Sequence, residues 1–276
     1  RTSPSPDSQN RGPGPPAAPV PTLISIGGCA MPHDPAIRLS VVIPAYNEEM
    51  RLPRTLEHAA AYLKAQPYGS EILVVDDGST DGTQRVVRAL DPGAVPLRLL
   101  AHPDGKNRGK GAAVRRGMIE ARGAYRLFMD ADNSTTLDQV ARFWPFFAQG
   151  TDVAIGSRAL ADSVIGVRQA RYKEIAGRIG NRFIRALTVP GIQDTQAGFK
   201  MFTEQAAEMI FPRQTIERWG YDIELLVIAR THGLRIREVP IAWINASGSK
   251  VTMKTYFEVL GDVVRIRRNL RAGRYG

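Results

Sequence analysis

The feature that most restricts the fold of this chain is an alternation of short apolar segments with longer amphipathic ones, beginning at Leu39. The apolar segments are rich in Val, Ile and Leu and about five residues long, as expected for buried β-strands. They span 39–43, 71–75, 96–101, 125–129 and 152–155. Apolar residues at helical spacing occupy about 50–65, 81–90, 110–122 and 136–148. Strands that alternate with helices need crossover connections, so we predict an α/β fold with a mainly parallel sheet flanked by helices.

The two ends of the chain differ in composition from this central part. The first 38 residues hold nine of the 19 prolines, and such a segment buries too little apolar surface to offset its chain entropy. From Lys250 onward, seven basic residues stand against two acidic ones, and apolar residues recur at helical spacing. We therefore predict a disordered leader at 1–38, one α/β domain at 39–250 and a basic amphipathic helix at 251–276. Such a helix either packs into the core or lies on an anionic membrane surface.

Composition also excludes several classes of protein. The single cysteine, Cys29, excludes an intramolecular disulfide framework. No segment reaches the roughly 18 to 20 consecutive apolar residues that cross a bilayer. The formal net charge of +10 permits a polyanionic partner such as nucleic acid, but the chain carries no nucleic-acid recognition motif.

Acidic and polar residues follow the predicted strands, where the loops of a parallel sheet converge on a ligand-binding crevice. Two carboxylates as close in sequence as Asp130 and Asp132 repel each other unless a cation or protons intervene. A hard divalent cation such as Mg²⁺ or Mn²⁺, completed by substrate phosphates, would remove this repulsion. The run at 78–82 has a second interpretation, because Gly, Ser, Thr and Asp also form turns and helix caps.

Nine short motifs, in this order, resemble those of the inverting family 2 glycosyltransferases with the GT-A fold. The first five are VVIPAYNEE (41–49), ILVVDDGSTDGT (72–83), KNRGKGAAVRRG (106–117), FMDADNS (128–134) and GSR (156–158). The other four are similar to the polyprenyl-phosphate branch, especially the dolichyl-phosphate β-glucosyltransferases. They are DTQAGFKMF (194–202), ERWGYDIELL (217–226), REVPIAW (237–243) and GSK (248–250).

The resemblance implies a role for each matching residue. The residues that would bind the nucleotide sugar are Pro44, Tyr46, Glu48, Asp76, Asp77, Lys110, Asp130 and Ala131. Asp130 and Asp132 would hold the metal ion, and Asp132 would be the more direct ligand. The residues that would bind the acceptor or its phosphate are Arg158, Arg168, Ser249 and Lys250.

The resemblance also implies which residues act at the sugar. Asp132, Arg158 and Asp222 would be catalytic, while Trp219 and Glu224 would orient the sugar. A plainer interpretation of Asp222 and Glu224 is the solvated face of a helix at about 220–232. Two departures argue against mannosyl transfer: Ser134 replaces the Gln that mannosyl relatives use beside the metal, and no Arg precedes Gly248.

Taken together, the resemblance implies a metal-dependent transferase that moves glucose from UDP-glucose to polyprenyl or dolichyl phosphate. With Mg²⁺ or Mn²⁺ as cofactor and a lipid acceptor, the protein would be peripheral at the cytosolic face of a membrane. Three alternatives stay open at this point. They are a soluble family 2 enzyme with a small hydroxylated or phosphorylated acceptor, a GDP-mannose-dependent polyprenyl-phosphate mannosyltransferase, and a basic nucleic-acid-binding module. The last leaves the carboxylate clusters unexplained, so we predict no nucleic-acid partner.

Overall fold

A computed structural model describes residues 34–165, 188–244 and 253–276 of the chain. Its strands are β1 (Leu39–Ala45), β2 (Ser70–Asp76), β3 (Leu97–Ala101), β4 (Tyr125–Met129), β5 (Val153–Ser157), β6 (Val164–Ile165), β7 (Phe199–Thr203), β8 (Ile236–Pro240) and β9 (Ala242–Trp243). Its helices are α1 (Leu52–Lys64), α2 (Thr83–Ala89), α3 (Lys110–Glu120), α4 (Trp144–Ala148), α5 (Glu204–Ile210), α6 (Tyr221–Thr231) and α7 (Met253–Arg271).

Seven of these strands form one sheet in the order β3-β2-β1-β4-β7-β5-β8, and β6 pairs with β9 in a separate small ribbon. Adjacent strands within β3-β2-β1-β4 are parallel, and β5 is parallel to β8. Strand β7 runs antiparallel to both β4 and β5. The predicted α/β fold with a mainly parallel sheet is confirmed.

Alternate strand residues face two apolar layers, as the period of two in a strand requires. On one side of the sheet, Val42 and Val75 pack with residues of α3, α5, α6 and α7. On the other side, Val41 and Val74 pack with residues of α1, α2 and α4. Helices cover both faces, which explains why all seven residues of β1 are buried.

The predicted helix at 136–148 is wrong, because the structure has two shorter elements there. Leu137–Arg142 is a 3₁₀ helix, and α4 starts at Trp144 with Pro145 in its first turn. Proline lacks an N–H and clashes with the preceding turn, so it is tolerated at a helix start but not inside a helix. A continuous helix through Pro145 would therefore be broken.

The ends of the chain are described only in part. The predicted leader lies outside the described residues except for 34–38, which hydrogen-bond to the domain: Asp34 N donates to Arg122 O and Arg38 N to Gly69 O, at 3.0 and 2.8 Å. Helix α7 lies within the predicted C-terminal helix and contributes Val259, Val263 and Ile266 to the core. Among the described residues, no helix has an apolar stretch long enough to cross a bilayer.

Candidate active site

The loops that follow β1 and β2 are fastened to each other at the carboxyl edge of the sheet. Asn47 N donates to Ser79 Oγ at 3.0 Å, and Glu48 N donates to Thr83 Oγ1 at 2.8 Å. In return, Thr80 N donates to Asn47 Oδ1 at 2.9 Å. Residues of the Gly-Ser-Thr-Asp run therefore join the two loops. Tyr46, in the first of these loops, is 38% exposed at this edge of the sheet.

Most of the acidic residues predicted to bind the nucleotide hold loops in place here. Glu48 accepts two hydrogen bonds of 2.7 Å from the guanidinium of Arg51. Buried Asp76 accepts from Ser79 N at 3.2 Å and from Gln84 Nε2 at 2.6 Å. Pro44 is buried within β1. Contact of these residues with a nucleotide stays a prediction.

Asp77 shapes the turn that leads into α3. Its carboxylate accepts from Arg108 N at 2.8 Å and from Gly109 N at 2.9 Å, and His102 Nε2 lies 3.2 Å from Oδ1. Burial raises the pKa of Asp77, although these neighbours oppose the shift. The side chain thereby fixes the N-terminus of α3, where Lys110 is the first residue.

Lys110 and Asp130 form the contact at the centre of the site. Lys110 Nζ lies 2.5 Å from Asp130 Oδ1. Burial alone would lower the pKa of Lys110, but Asp130, Asp222 and Asp132 outweigh it and raise the pKa. The sequence predicts a positive charge beside Asp130 and Asp132, and Lys110 supplies part of it.

The loop after β4 also positions Asp132. Its Oδ1 accepts from Ser134 N at 3.0 Å, and Asn133 between them adopts a left-handed conformation with φ of 57°. The carbonyl of Ala131 accepts from Thr55 Oγ1 at 2.7 Å. Ala131 is thus a backbone anchor that fixes the spacing of the two aspartates.

Asp222 is paired with a buried lysine that the sequence did not single out. Lys200 Nζ lies 2.5 Å from Asp222 Oδ1 and donates to Ala197 O at 2.6 Å. Burial raises the pKa of Asp222 and lowers that of Lys200, and the ion pair opposes both shifts. Since Asp222 is only 5% exposed and Glu224 is fully buried, the solvated-face interpretation of these residues is wrong.

Arg158 is held in place by Asp194, to which the sequence motifs assigned no role. Its Nε and Nη2 donate to the two oxygens of Asp194 at 2.7 and 2.9 Å, and its backbone N donates to Oδ2 at 3.0 Å. The guanidinium carbon also lies 5.5 Å from the centroid of the Trp243 ring. Burial opposes charge on Arg158, but Asp194, Asp130 and Asp222 raise its pKa.

One cleft at this end of the sheet is lined by both Asp130 and Arg158. Its walls are formed by Asp130, Ser134, Thr135, Gly156, Arg158, Gln196, Ala197, Gly198, Ile241 and Trp243. The negative charges of Asp130 and Asp222 raise the pKa of both Lys110 and Arg158. Two basic and two acidic side chains therefore share this end of the sheet.

Other predicted residues are not brought to this cleft or are not described. Glu224 is fully buried and accepts hydrogen bonds from Thr215, Ile216 and Tyr275. The predicted sugar-orienting role does not fit this position, because the carboxylate has no exposed surface. Trp219 is half-buried against the core, and its role stays a prediction. The predictions for Arg168, Ser249 and Lys250 lie outside the described residues.

Gly198 offers a test of the geometry around Asp130. A Cβ atom at this position would lie 2.1 Å from Asp130 Oδ2, so Gly198→Ala must displace the carboxylate from its place beside Lys110. We expect kcat/KM for the sugar transfer that the motifs imply to fall at least about 100-fold, as for other small misplacements of reacting groups. Steady-state kinetics would check this.

The matched control is Gly261→Ala in α7, where a Cβ atom would meet nothing within 4 Å. This variant should keep its activity and become slightly more stable, because alanine favours a helix over glycine. Equal kinetics for the two variants would show that the position of Asp130 is unimportant.

Comparison with known proteins identifies the family. The model for glycosyl transferase family 2 matches residues 40–211. The chain belongs to this family.

Curated relatives of this chain have a more specific name. Dolichyl-phosphate β-glucosyltransferase of Dictyostelium discoideum is 38% identical over 84% of this chain and 74% of its own length. The human protein of the same name is 36% identical over 87% of this chain and 78% of its own length. These relatives are hexosyltransferases.

Solved structures show the same GT-A-like fold at lower identity. A complex of glucosyl-3-phosphoglycerate synthase from Mycobacterium tuberculosis with Mn²⁺, UDP-glucose and phosphoglyceric acid has a TM-score of 0.60. It is 19% identical, and the match covers 83% of this chain and 79% of that one. The same synthase has also been solved with Mg²⁺ and UDP, again with a TM-score of 0.60.

Proposed function

We propose that this chain transfers glucose from UDP-glucose to a polyprenyl phosphate such as dolichyl phosphate, with inversion at the sugar. The observation that carries the proposal is the cleft lined by Asp130 and Arg158, where Lys110 contacts Asp130 and Asp222 adds a nearby negative charge. Curated relatives named for glucosyl transfer to dolichyl phosphate support the choice of sugar and acceptor.

The two basic residues suit the charges of this reaction. An oxygen of the acceptor phosphate forms the new bond to the sugar C1, while the bond from C1 to the diphosphate breaks and its electrons leave with UDP. Negative charge grows on the leaving diphosphate, and a fixed cation such as Lys110 stabilises it. Arg158, held in place by Asp194, would bind the acceptor phosphate.

Asp222 would orient the reactants rather than remove a proton. A phosphate oxygen is already anionic near neutral pH, so the acceptor needs little help from a general base. Lys200 already occupies one oxygen of Asp222 at 2.5 Å. The carboxylate would therefore serve as a hydrogen-bond acceptor at the sugar.

The donor atoms at Asp130 and Asp132 fit a hard divalent ion. Among the described residues, no group of three or more His, Cys, Asp or Glu side chains could enclose a metal. Mg²⁺ characteristically binds through one or two carboxylates and completes its coordination with phosphates and water. Asp132 and Asp130 would hold Mg²⁺ or Mn²⁺ in this way, and the ion would neutralise charge on the diphosphate.

The proposed acceptor also sets where the protein works. A polyprenyl phosphate is anchored in a bilayer by its hydrocarbon chain, so the enzyme must reach the headgroup from the membrane surface. We propose a peripheral protein at the cytosolic face.

Radiolabelled transfer tests the proposal directly. The purified chain is incubated with UDP-[¹⁴C]glucose, Mn²⁺ and either a polyprenyl phosphate or 3-phosphoglycerate, and the organic and aqueous phases are then counted. We expect label in the organic phase, dependent on the lipid phosphate and abolished by a chelator. Label in an aqueous product would instead support the soluble transferase. Label from GDP-mannose but not UDP-glucose would support the mannosyltransferase, and no consumption of donor with any acceptor would refute all three.

A further inference from the structure

Helix α7 exposes a second apolar face in addition to the one in the core. Four of the eight large exposed apolar side chains among the described residues belong to this helix: Phe257, Leu260, Val264 and Leu270. Phe257 and Val264 are 70% and 69% exposed. Residues three, four and seven positions apart share one side of a helix, so Phe257, Leu260 and Val264 form a continuous stripe. Such clustering marks an interaction surface, whereas single exposed apolar residues are common and need no explanation.

Basic residues continue this stripe along the same side of α7. Arg267, Arg268 and Arg271 follow Val264 at spacings of three, four and seven residues, which places them on the same face one and two turns further along. Arg268 and Arg271 are exposed. The outer face therefore has an apolar half followed by a cationic half. We call the surface made by these six residues the outer face of α7.

The acidic residues of α7 lie on a different side. Glu258 and Asp262, the only acids in the helix, line a groove against the segment 215–218. Asp262 Oδ2 also accepts from Gly220 N at 3.1 Å. The outer face thus combines apolar side chains with positive charge only, and its complement is an anionic surface with an apolar interior.

We infer that the outer face of α7 binds an anionic lipid bilayer. Phe257, Leu260 and Val264 insert between lipid chains at the headgroup boundary, and Arg267, Arg268 and Arg271 contact lipid phosphates. A helix with one basic and one apolar part binds membranes through buried apolar area together with attraction to anionic lipid. This inference builds on the proposed lipid-phosphate acceptor, but it stands on the surface of α7 and not on the cleft.

The attachment of α7 to the rest of the protein connects the bilayer with the cleft. A Cβ atom on Gly220 would lie 2.4 Å from Asp262 Cβ, so the two backbones approach closely at this point. Gly220 immediately precedes α6, which carries Asp222. Docking of α7 on the lipid surface would therefore hold the helix that carries Asp222 at a fixed position relative to the headgroups.

Vesicle flotation tests the inference with the full chain. The vesicles are phosphatidylcholine alone or phosphatidylcholine with about one third phosphatidylglycerol, the anionic lipid that attracts basic residues. Two variants probe the outer face: Phe257→Ser/Val264→Ser and Arg267→Gln/Arg268→Gln/Arg271→Gln. Matched controls are Met50→Ser, an apolar residue 86% exposed elsewhere, and Arg85→Gln, whose side chain is 81% exposed.

We expect the parent chain to bind the anionic vesicles and to lose binding as salt is raised. The arginine variant should bind about 100-fold more weakly, which corresponds to about fivefold for each of the three arginines. The apolar variant should bind at least about tenfold more weakly. Both controls should match the parent. If the parent fails to bind anionic vesicles, or if both outer-face variants bind as well as it does, the inference is wrong. A dimer in solution that the apolar variant dissociates, without vesicle binding, would also overturn it.

Activity assays separate this inference from the proposed function. With a short-chain, water-soluble polyprenyl phosphate, the outer-face variants should transfer glucose as fast as the parent. With a long-chain acceptor embedded in anionic vesicles, their rates should fall in parallel with binding. Vesicle binding without any transfer would refute the proposed function and support the inference, whereas transfer from vesicles that is unaffected by the variants would refute the inference alone.

Discussion

Replacement of Asp132 by asparagine is expected to lower kcat for sugar transfer about 100- to 1,000-fold, the range found when one preorganised electrostatic contact is removed. Asparagine can still accept the hydrogen bond that Asp132 Oδ1 receives from Ser134 N at 3.0 Å. The loop after β4 should therefore keep its shape. What the variant loses is the negative charge that would hold a divalent ion beside the diphosphate.

Initial rates at saturating donor, measured across a range of Mn²⁺ concentrations, check this expectation. The parent should saturate at a lower metal concentration than the Asp132→Asn variant. Asp138→Asn is the matched control, because Asp138 is an exposed acid shortly after the same loop. The control should keep parental kinetics, and thermal unfolding should show that both variants are folded. Full activity in Asp132→Asn would exclude this residue from the reaction.

Replacement of Lys200 by methionine is expected to lower the free energy of unfolding by about 3 to 5 kcal/mol, the usual cost of removing one partner of a buried ion pair. Lys200 is fully buried in β7, and its ammonium contacts Asp222 and the carbonyl of Ala197. Methionine fills similar space but leaves the carboxylate of Asp222 buried without this cation. Urea unfolding at neutral pH would measure the loss.

The loss of stability in Lys200→Met should depend on pH. Burial raises the pKa of Asp222, and removal of Lys200 raises it further because an opposing charge is lost. The destabilisation is complete above this raised pKa and disappears as pH falls through it towards about 3.9, the value of an unfolded aspartate. The difference in stability between the parent and Lys200→Met should therefore be smaller at pH 5 than at pH 8.

The double variant Lys200→Met/Asp222→Leu serves as the control. Exchange of a whole buried ion pair for apolar residues is often neutral or stabilising. The double variant should thus recover most of the stability that Lys200→Met loses. A double variant as unstable as the single one would show that the cost arises from packing around Lys200 and not from an unpaired charge.

The sequence predicts the first five strands well because they are apolar, about five residues long and bounded by turn residues. It does not predict β7, since the run of Phe199 to Thr203 has the charged Lys200 as its second residue and follows a polar loop. Periodicity also continues across Pro145, where only the chemistry of proline interrupts the helix. In α7, spacing alone cannot divide the apolar residues between core and surface, because both sets repeat with helical periods.

The residues of the candidate site can likewise be predicted from the sequence only in part. Asp130, Asp132 and Arg158 directly follow apolar strands, so the topology of a parallel sheet is enough to bring them to one edge. Asp194 and Lys200 lie in the motif at 194–202, but their partners are distant in sequence, and no spacing rule reveals which charges will meet. Glu224 is two residues from Asp222, and only the packing of Tyr275 and Thr215 shows that it faces away from the cleft.

The position of β7 has a consequence for the order in which the molecule folds. Within the described residues, β7 is the only strand that joins β3-β2-β1-β4 to β5-β8. The first group is continuous in sequence, whereas β7 must return from a distant part of the chain to insert between β4 and β5, and such non-local pairing is slow. We therefore expect β3-β2-β1-β4 to assemble first. Asp130 and Arg158 come to share a cleft only in the last cooperative step.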